Sequence, residues 1–291
     1  MSGCNICPRN CNVDRNNNEY GVCGVPNEIH IARTMLHMWE EPCISGNSGS
    51  GAVFFYGCPL RCIYCQNYKI SHGIDETRAV SLDELANVFI ELQEMGANNI
   101  NLVTPTHYSL EIITAIGKAK NKGLNIPIVY NCSGYESVDT LKKLHGYIDI
   151  YLTDFKYMDD DLGVKYSKVS NYSEVAKNAL AEMVRQVGAP EFLDNGVMKK
   201  GVIVRNLLLP SHVNNSKAVL QYIYETYGDL VYISIMNQYT PLEQVKNIKE
   251  LNRKVTKREY NRLIDYAISL GIKNAFIQEG DVAKESFIPD F

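Results

Sequence analysis

Three closely spaced cysteines, Cys58, Cys62 and Cys65, carry the strongest chemical signal in the sequence. Their C-x3-C-x2-C spacing puts three thiolates on one short loop, where they can bind three irons of a cubane 4Fe–4S cluster. The fourth iron then has no protein ligand, unlike the four-cysteine ligation of an electron carrier. A structural zinc site also needs four ligands, and the nearest further candidate, His72, lies seven residues beyond Cys65. The spacing therefore favours a cluster with one iron open to a cofactor or substrate.

A second group of cysteines, Cys4, Cys7, Cys11 and Cys23, precedes the first with the spacing C-x2-C-x3-C-x11-C. Four thiolates within 20 residues can close either a zinc tetrahedron or a 4Fe–4S cube. A small cysteine-rich segment cannot build a hydrophobic core and needs such a metal to hold its fold. We predict a structural metal site here, with zinc or a second cluster as the bound species. An auxiliary cluster for electron transfer or substrate binding is the alternative.

The composition is that of a globular protein with a small net negative charge. The net charge of −4 over 291 residues gives no reason to expect nucleic-acid or anionic-membrane binding. No apolar run approaches the roughly 20 residues of a membrane span, and the first residues do not resemble a signal peptide. We therefore expect a cytoplasmic protein, whose nine cysteines form no structural disulfides in that reducing compartment. So many metal-binding thiolates would suit an anaerobic cell.

Strands and helices alternate along the chain after residue 51. The predicted strands are 51–56, 101–103, 126–130, 148–155, 202–209, 231–236 and 275–278. The predicted helices between them are 82–95, 109–122, 137–144, 172–187, 216–227 and 257–270. Strands separated by helices form parallel sheets through right-handed crossovers. Six such units predict an α/β fold, a partial, open (β/α)6 barrel, and a doubly wound open sheet is the alternative.

The domain organisation follows from the position of the cysteines. Residues 1–46 are predicted to form a small cysteine-rich metal-binding segment, and residues 47–291 to form the barrel domain. The stretch 41–50 is rich in glycine and serine, which is typical of a linker or loop between the two.

The segment 54–67, which reads FFYGCPLRCIYCQN, resembles the radical S-adenosylmethionine (SAM) superfamily. More narrowly it resembles the activating enzymes of glycyl radical enzymes and the related pyruvate formate-lyase activating enzyme-like proteins. Those enzymes similarly carry an asparagine two residues after the last cysteine, here Asn67. The resemblance extends over essentially the whole chain.

The resemblance implies a specific chemistry. SAM would bind the open iron through its amino and carboxylate groups, and one electron would cleave it to methionine and a 5′-deoxyadenosyl radical that abstracts hydrogen. The implied function is an oxidoreductase that activates a glycyl radical enzyme by removing hydrogen from one of its glycines. A radical SAM enzyme acting on a peptide or small molecule is the alternative, and a non-catalytic iron–sulfur or zinc protein is a third class. The implied electron donor is a flavodoxin or ferredoxin.

Ligands of such folds bind beyond the carboxyl ends of the strands, so the polar residues there are candidate SAM contacts. Thr104 and Thr106 follow the second strand, where the activating enzymes carry a Gly-Gly-Glu segment that meets the SAM amino group. Asn131 and Ser133 follow the third strand and match a segment that contributes polar groups near the SAM methionine.

The later strand ends carry charged candidates. Asp154 and Lys156 resemble an Asp-x-Lys at the methionyl end of SAM, although a structural ion pair is the alternative. Arg205 resembles an arginine near SAM, and its planar fork suits a carboxylate. Gln238 stands in the region where the activating enzymes carry a histidine that faces SAM. Tyr64, beside the last cysteine, is placed to pack against the cofactor and limit solvent access.

Overall fold

The computed structural model describes residues 3–74 and 76–278. Their strands are β1 (Ile29–His37), β2 (Ser50–Phe55), β3 (Arg78–Val80), β4 (Ile100–Val103), β5 (Ile128–Cys132), β6 (Ile150–Asp154), β7 (Glu191–Phe192), β8 (Met198–Leu207), β9 (Tyr232–Met236) and β10 (Ala275–Ile277). Their α-helices are α1 (Pro42–Ser45), α2 (Tyr68–His72), α3 (Leu82–Glu94), α4 (Ser109–Asn121), α5 (Val138–Leu144), α6 (Asp160–Ser167), α7 (Tyr172–Val187), α8 (Val213–Tyr227) and α9 (Lys257–Leu270). Short 3-10 helices cover Arg15–Asn17, Thr106–Tyr108, Gly228–Leu230 and Glu243–Val245.

One mixed sheet organises the chain. Seven parallel strands run in the order β2, β4, β5, β6, β8, β9, β10. Beyond β2, β1 pairs antiparallel with β2, and β3 pairs antiparallel with β1. Helices connect the parallel strands, and among the described residues the two outer strands, β3 and β10, do not pair with each other. The structure therefore confirms the predicted α/β class and the open, partial parallel barrel.

Local sequence signals explain why the helices begin where they do. The hydroxyl of Ser81 accepts a hydrogen bond from the N–H of Glu84, and the Glu84 carboxylate accepts one from the N–H of Ser81. This capping box satisfies two N–H groups that otherwise have no partner at the start of α3. Thr256 and Glu259 form the same arrangement at the start of α9.

The expected linker at 41–50 is wrong. Pro42–Ser45 forms α1, whose proline fits the first helical turn because it needs no N–H donor there. Cys43 and Ile44 are buried against Val129, Ile150 and neighbouring side chains inside the barrel. Apolar contact with the strands thus outweighs the glycine- and serine-rich composition, and α1 closes the barrel at the amino ends of its strands.

Strand β1 was not predicted from the sequence. It pairs antiparallel with β2 through the register of Met35 with Ala52 and Leu36 with Gly51. Most of its side chains are only half-buried, so its sequence shows no clear two-residue alternation. The division of the chain at residue 46 stays a prediction, with β1 lying in its first part and residues 279–291 of its second part outside the described residues.

No described helix is both long and apolar enough to cross a bilayer.

Candidate active site

A cavity of about 560 Å³ lies at the carboxyl ends of the parallel strands. Eight of the residues proposed from the sequence line it: Cys62, Tyr64, Cys65, Asn131, Asp154, Lys156, Arg205 and Gln238. Parallel strands present their carboxyl ends at one edge of the sheet, so residues far apart in sequence converge here. The pairing of β6 with β8 places Asp154 directly opposite Arg205.

Four other proposed residues do not line this cavity. Cys58 is the first residue of the cysteine loop, and Thr104 begins the turn after β4. The hydroxyl of Thr106 donates a 2.9 Å hydrogen bond to the buried carboxyl of Glu136. The hydroxyl oxygen of Ser133 is buried, and the Ser133 backbone carbonyl accepts a 2.8 Å hydrogen bond from the hydroxyl of Tyr172. Their roles in SAM binding stay predictions.

Thr104 has a left-handed backbone conformation with φ of 58°. Residues other than glycine pay about 1–2 kcal/mol for this conformation because Cβ approaches the carbonyl oxygen. The Thr104 N–H donates to the carbonyl oxygen of Asn131 at 2.8 Å, which holds the turn against the end of β5. The turn after β4 therefore has a glycine-like backbone at a position where this chain carries threonine.

Gly57 shapes the cysteine loop at its start. Its φ is 81°, and a Cβ added there would lie 2.6 Å from the backbone oxygen of Cys23. Only glycine accepts both this conformation and this approach of a second backbone. The loop that begins at Cys58 is thus packed directly against the N-terminal segment.

Hydrogen-bond donors surround the three thiols of the loop. The backbone N–H groups of Leu60 and Arg61 point at Cys58, and the Ser167 hydroxyl donates to the Cys62 sulfur at 3.0 Å. Burial, followed by the nearby sulfurs of Cys65 and Cys62, raises the pKa of Cys58 to about 12. The hydrogen-bond donors of the loop therefore offset only part of the cost of ionising Cys58 to a thiolate.

A chain of hydroxyl groups extends from Cys62 into the core. The Ser167 hydroxyl is 2.9 Å from the hydroxyl of Tyr157, which is 2.6 Å from that of Tyr64. Tyr64 is buried and also lines the cavity, and its packing against the cofactor stays a prediction. The three hydroxyls fix the Cys62 side chain from behind.

Lys156, Asp154 and Arg205 form a row of alternating charges in the cavity wall. The Lys156 ammonium is 2.6 Å from one Asp154 oxygen, and Arg205 Nε is 2.9 Å from the other. Burial by itself would raise the pKa of Asp154, but the charges of Lys156 and Arg205 hold it below its usual value. Asp154 is therefore a carboxylate that orients two cations.

The guanidinium of Arg205 is largely engaged by the chain itself. Besides Nε, its Nη1 donates to Glu40 at 3.2 Å and its Nη2 to Asn131 at 2.6 Å. One N–H on each Nη nitrogen remains for another acceptor. Arg205 therefore mainly fixes the positions of Asp154, Glu40 and Asn131 in the cavity wall. Its guanidinium is not fully free to bind a carboxylate, because each of its three nitrogens already donates a hydrogen bond.

The connection between β1 and α1 adds residues that the sequence analysis missed. His37, Trp39, Glu40 and Glu41 all line the cavity. Burial raises the pKa of Glu41 to about 7, against the opposing effect of Arg205, and its Oε2 has no hydrogen-bond partner among the described residues. In the sequence, these residues are marked only by two adjacent acids before a proline, Glu40-Glu41-Pro42. That pattern does not indicate a position in the cavity, because the position depends on the pairing of β1 with β2.

The N-terminal segment is attached to the cysteine loop by Arg9. Its guanidinium donates to four backbone carbonyls, those of Pro59, Leu60, Ser167 and Lys168, at 2.6–3.3 Å. No sequence pattern identifies such a residue, because backbone acceptors are present at every position. Arg9 therefore joins the N-terminal cysteine segment to the loop that carries Cys58, Cys62 and Cys65.

The nine cysteines are free thiols. Within residues 3–74 and 76–278, no three His, Cys, Asp or Glu side chains converge closely enough to hold a single metal ion. The metal at Cys4, Cys7, Cys11 and Cys23 stays a prediction.

The model of the radical SAM superfamily matches residues 52–206, more than half of the chain. The chain belongs to the radical SAM superfamily. A curated relative, the uncharacterized protein MJ0674 of Methanocaldococcus jannaschii, is 28% identical over 277 residues, which cover 92% of this radical SAM chain and 75% of that protein.

Solved structures of two other proteins share the fold. SuiB of Streptococcus suis, bound to its precursor peptide SuiA, superposes with a TM-score of 0.51 at 14% identity over 78% of this chain and 47% of SuiB. Methylornithine synthase (PylB) superposes with a TM-score of 0.53 at 14% identity over 76% of this chain and 61% of PylB. The chain thus spans about half of SuiB and less than two thirds of PylB. At this identity the likeness is one of fold.

Membership of the superfamily implies a 4Fe–4S cluster and SAM, and the residues present fit both. Cys58, Cys62 and Cys65 supply three thiolates with hydrogen-bond donors around them, which is the ligand set of an iron–sulfur cluster. The charge of Asp154, with those of Cys62 and Cys65, raises the pKa of Lys156 against the effect of burial. The Lys156 ammonium therefore stays charged close to the thiols, where an anionic group of SAM needs a partner.

Proposed function

We propose that this radical SAM enzyme cleaves SAM reductively at Cys58, Cys62 and Cys65 and removes hydrogen from a glycine of a partner protein. When bound, the cluster and SAM supply one electron and the sulfonium, which yield methionine and a 5′-deoxyadenosyl radical that takes the hydrogen atom. The observation that carries the proposal is that Cys62 and Cys65 line the same cavity as the charged residues Asp154, Lys156 and Arg205.

The residues of the chain bind and orient the cofactor. Lys156 lies between the loop thiols and Asp154, and it retains ammonium donors for the SAM carboxylate beyond the one that bonds Asp154. Asp154 fixes both Lys156 and Arg205, so it acts as a positioning residue. Asn131 is held by Arg205 at the same edge.

The proposal that the substrate is a glycine of a partner protein is supported by a resemblance. Asp154, Lys156 and Arg205 resemble charged residues at the strand ends of the activating enzymes. Their convergence on the cavity is consistent with that resemblance. A partner of this kind has to present its glycine at the carboxyl edge of the sheet, where the cavity lies.

A second candidate is a radical SAM reaction on a peptide or small molecule. The observation that favours it is the pair of buried acids, Glu40 and Glu41, in the cavity wall. Glu41 Oε2 has no hydrogen-bond partner among the described residues, so this buried carboxyl suits a substrate with a positively charged group that would bond it.

The first test is SAM cleavage by the anaerobically reconstituted protein with dithionite. We expect 5′-deoxyadenosine to form in the wild type and to disappear in Cys62→Ala together with the cluster absorbance. Cys43→Ala is the matched control, because Cys43 is a buried cysteine that does not line the cavity. Cleavage by Cys62→Ala at the wild-type rate would refute the proposal.

The second test separates the two substrates. Incubation with SAM, reductant and the glycyl radical enzymes encoded nearby should give a glycyl doublet by electron paramagnetic resonance. Deuterium from labelled glycine in that partner should appear in 5′-deoxyadenosine. Cleavage of SAM without either signal would favour the second candidate, as would a peptide precursor gene beside this one.

A further inference from the structure

The four N-terminal cysteines form one group around a short folded segment. The N–H of Cys4 donates to the carbonyl of Val13, and the N–H of Val22 approaches the sulfur of Cys11 at 3.4 Å. The carbonyl of Cys4 accepts a 3.0 Å hydrogen bond from the N–H of Asn12, and the carbonyl of Cys7 accepts one of 3.1 Å from the N–H of Asn10. A Cβ on Gly21, two residues before Cys23, would lie 3.0 Å from the sulfur of Cys11. The four cysteines therefore belong to one short folded segment.

This region lies directly behind the cysteine loop. The backbone of Cys23 is in close contact with Gly57, the residue before Cys58, and Arg61 Nη1 donates to the carbonyl of Val22 at 3.1 Å. Arg9 Nε donates to the carbonyl of Pro59 at 2.8 Å. Only the touching backbones of the two segments therefore separate the cysteine groups at this point.

The cysteine loop contacts both the cavity and the N-terminal segment. Cys62 and Cys65 line the cavity, which SAM and the substrate fill in the proposed function, whereas Cys58 does not line it and follows the glycine that touches Cys23. Large apolar side chains are exposed beside the N-terminal group, with Tyr20 at 58% and Val22 at 39% exposure. Isolated apolar side chains are common on surfaces, but here both lie within three residues of a candidate metal ligand.

We propose that Cys4, Cys7, Cys11 and Cys23 bind a second 4Fe–4S cluster that passes electrons to the cluster at Cys58, Cys62 and Cys65. Thiolates alone are the ligands of such clusters, and four of them complete a cube with no open iron, as in an electron carrier. This proposal rests on the proposed function, because only reductive SAM cleavage needs the electron.

The transfer is a single-electron step. A reduced carrier protein of the flavodoxin or ferredoxin class is oxidised by one electron at the surface beside Val22, and the N-terminal cluster is reduced. That cluster is then reoxidised as the electron moves to the cluster of the cysteine loop. No bond forms or breaks at the N-terminal site, and no proton is transferred there.

The first experiment is the metal content of the anaerobically purified full chain. Two clusters require about eight irons and eight sulfides per chain, and one cluster requires about four of each. We expect the higher values, with two distinct reduced-cluster signals by electron paramagnetic resonance. About four irons with one zinc would overturn the proposal, and this result does not depend on any variant folding.

The second experiment measures the electron path. In the double variant Cys4→Ala/Cys11→Ala, whose sites are half-buried, we expect iron to fall to about four per chain. We also expect the ratio of carrier-driven to dithionite-driven SAM cleavage to fall at least about tenfold. Cys43→Ala should keep both values.

The outcomes separate this proposal from the proposed function. If the wild type does not cleave SAM with dithionite, the proposed function fails whatever the iron content. If the wild type cleaves SAM but the double variant keeps the carrier-driven ratio, the electron relay is refuted and the proposed function stands.

Discussion

The hydroxyl of Ser167 donates a hydrogen bond to the sulfur of Cys62 at 3.0 Å. Ser167 ends α6, and Tyr157 and Tyr64 continue the chain of hydroxyls behind it. A donor at a cluster ligand stabilises the more negative, reduced state more than the oxidised one, so it raises the reduction potential. Ser167 is thus a positioning residue whose effect can be measured without turnover.

We predict that Ser167→Ala lowers the midpoint potential of the cluster at the cysteine loop. If the bond favours the reduced state by about 1 kcal/mol, the shift is about 40 mV for one electron. A redox titration followed by electron paramagnetic resonance measures it. Ser269→Ala, on an exposed face of α9, is the control. A potential that stays at the wild-type value in Ser167→Ala would show that the hydroxyl does not tune the cluster.

Asp154→Asn should destabilise the fold and weaken SAM binding. The change leaves the buried charges of Lys156 and Arg205 without their shared partner, which costs about 3 kcal/mol or more. Asp83→Asn removes an exposed carboxylate paired with Lys118 at 2.8 Å and should change the free energy of unfolding little, because solvent screens this pair. Urea denaturation and calorimetric titration with SAM provide the measurements, and equal losses in the two variants would contradict the prediction.

Thr104→Gly should stabilise the protein by about 1 kcal/mol, because glycine adopts a φ of 58° without the steric cost that threonine pays. SAM affinity should not weaken, since the backbone of the turn is retained. Thr106→Gly tests the neighbouring position and should destabilise by about 2 kcal/mol, because the Thr106 hydroxyl bonds the buried Glu136. Thermal unfolding compares the two. A less stable Thr104→Gly would mean that the threonine side chain contributes more than its strain costs.

The stability of the protein should fall as pH rises because of Glu136. Burial raises the pKa of this carboxyl from 4.5 to about 8, despite hydrogen bonds from Thr106 and Tyr130. Between these values the unfolded chain releases the proton and the folded chain keeps it, so the free energy of unfolding declines with pH and levels off above about 8. The total decline attributable to Glu136 is at most about 5 kcal/mol.

Glu136→Gln should remove this slope. Urea denaturation of wild type and variant from pH 5 to about 9 gives the difference as a function of pH. The difference should favour the variant increasingly up to about pH 8. Glu94→Gln, at an exposed position, should run parallel to the wild type. Parallel curves for Glu136→Gln as well would show that this carboxyl ionises normally in the folded state.

The sequence predicted the part of the site that local patterns encode. The loop cysteines follow one strand, Asp154 ends β6, and Arg205 lies opposite Asp154 near the end of the neighbouring strand β8. Strand alternation and the geometry of parallel sheets are sufficient to bring these residues to one edge. The same reasoning could not predict that Glu40 and Asn131 accept hydrogen bonds from the guanidinium of Arg205, because those contacts depend on side-chain geometry.

The other wall of the cavity depends on contacts between distant parts of the chain. Glu40 and Glu41 reach it only because β1 pairs with β2 and α1 is buried inside the barrel. His107 illustrates the same limit, since a loop histidine is fully buried here with its Nε2 2.7 Å from the carbonyl of Tyr56. Polar residues in loops carry no sequence signal for burial of this kind.

The four carbonyl contacts of Arg9 also set an order for biogenesis. Two of its acceptors lie 158 and 159 residues later in the chain, so these contacts cannot form until the chain has been synthesised through Lys168. Until then Arg9 cannot attach the N-terminal segment to the Cys58 loop by these contacts. Delivery of a cluster to Cys58, Cys62 and Cys65 thus has a window during translation, which closes when Arg9 takes its place.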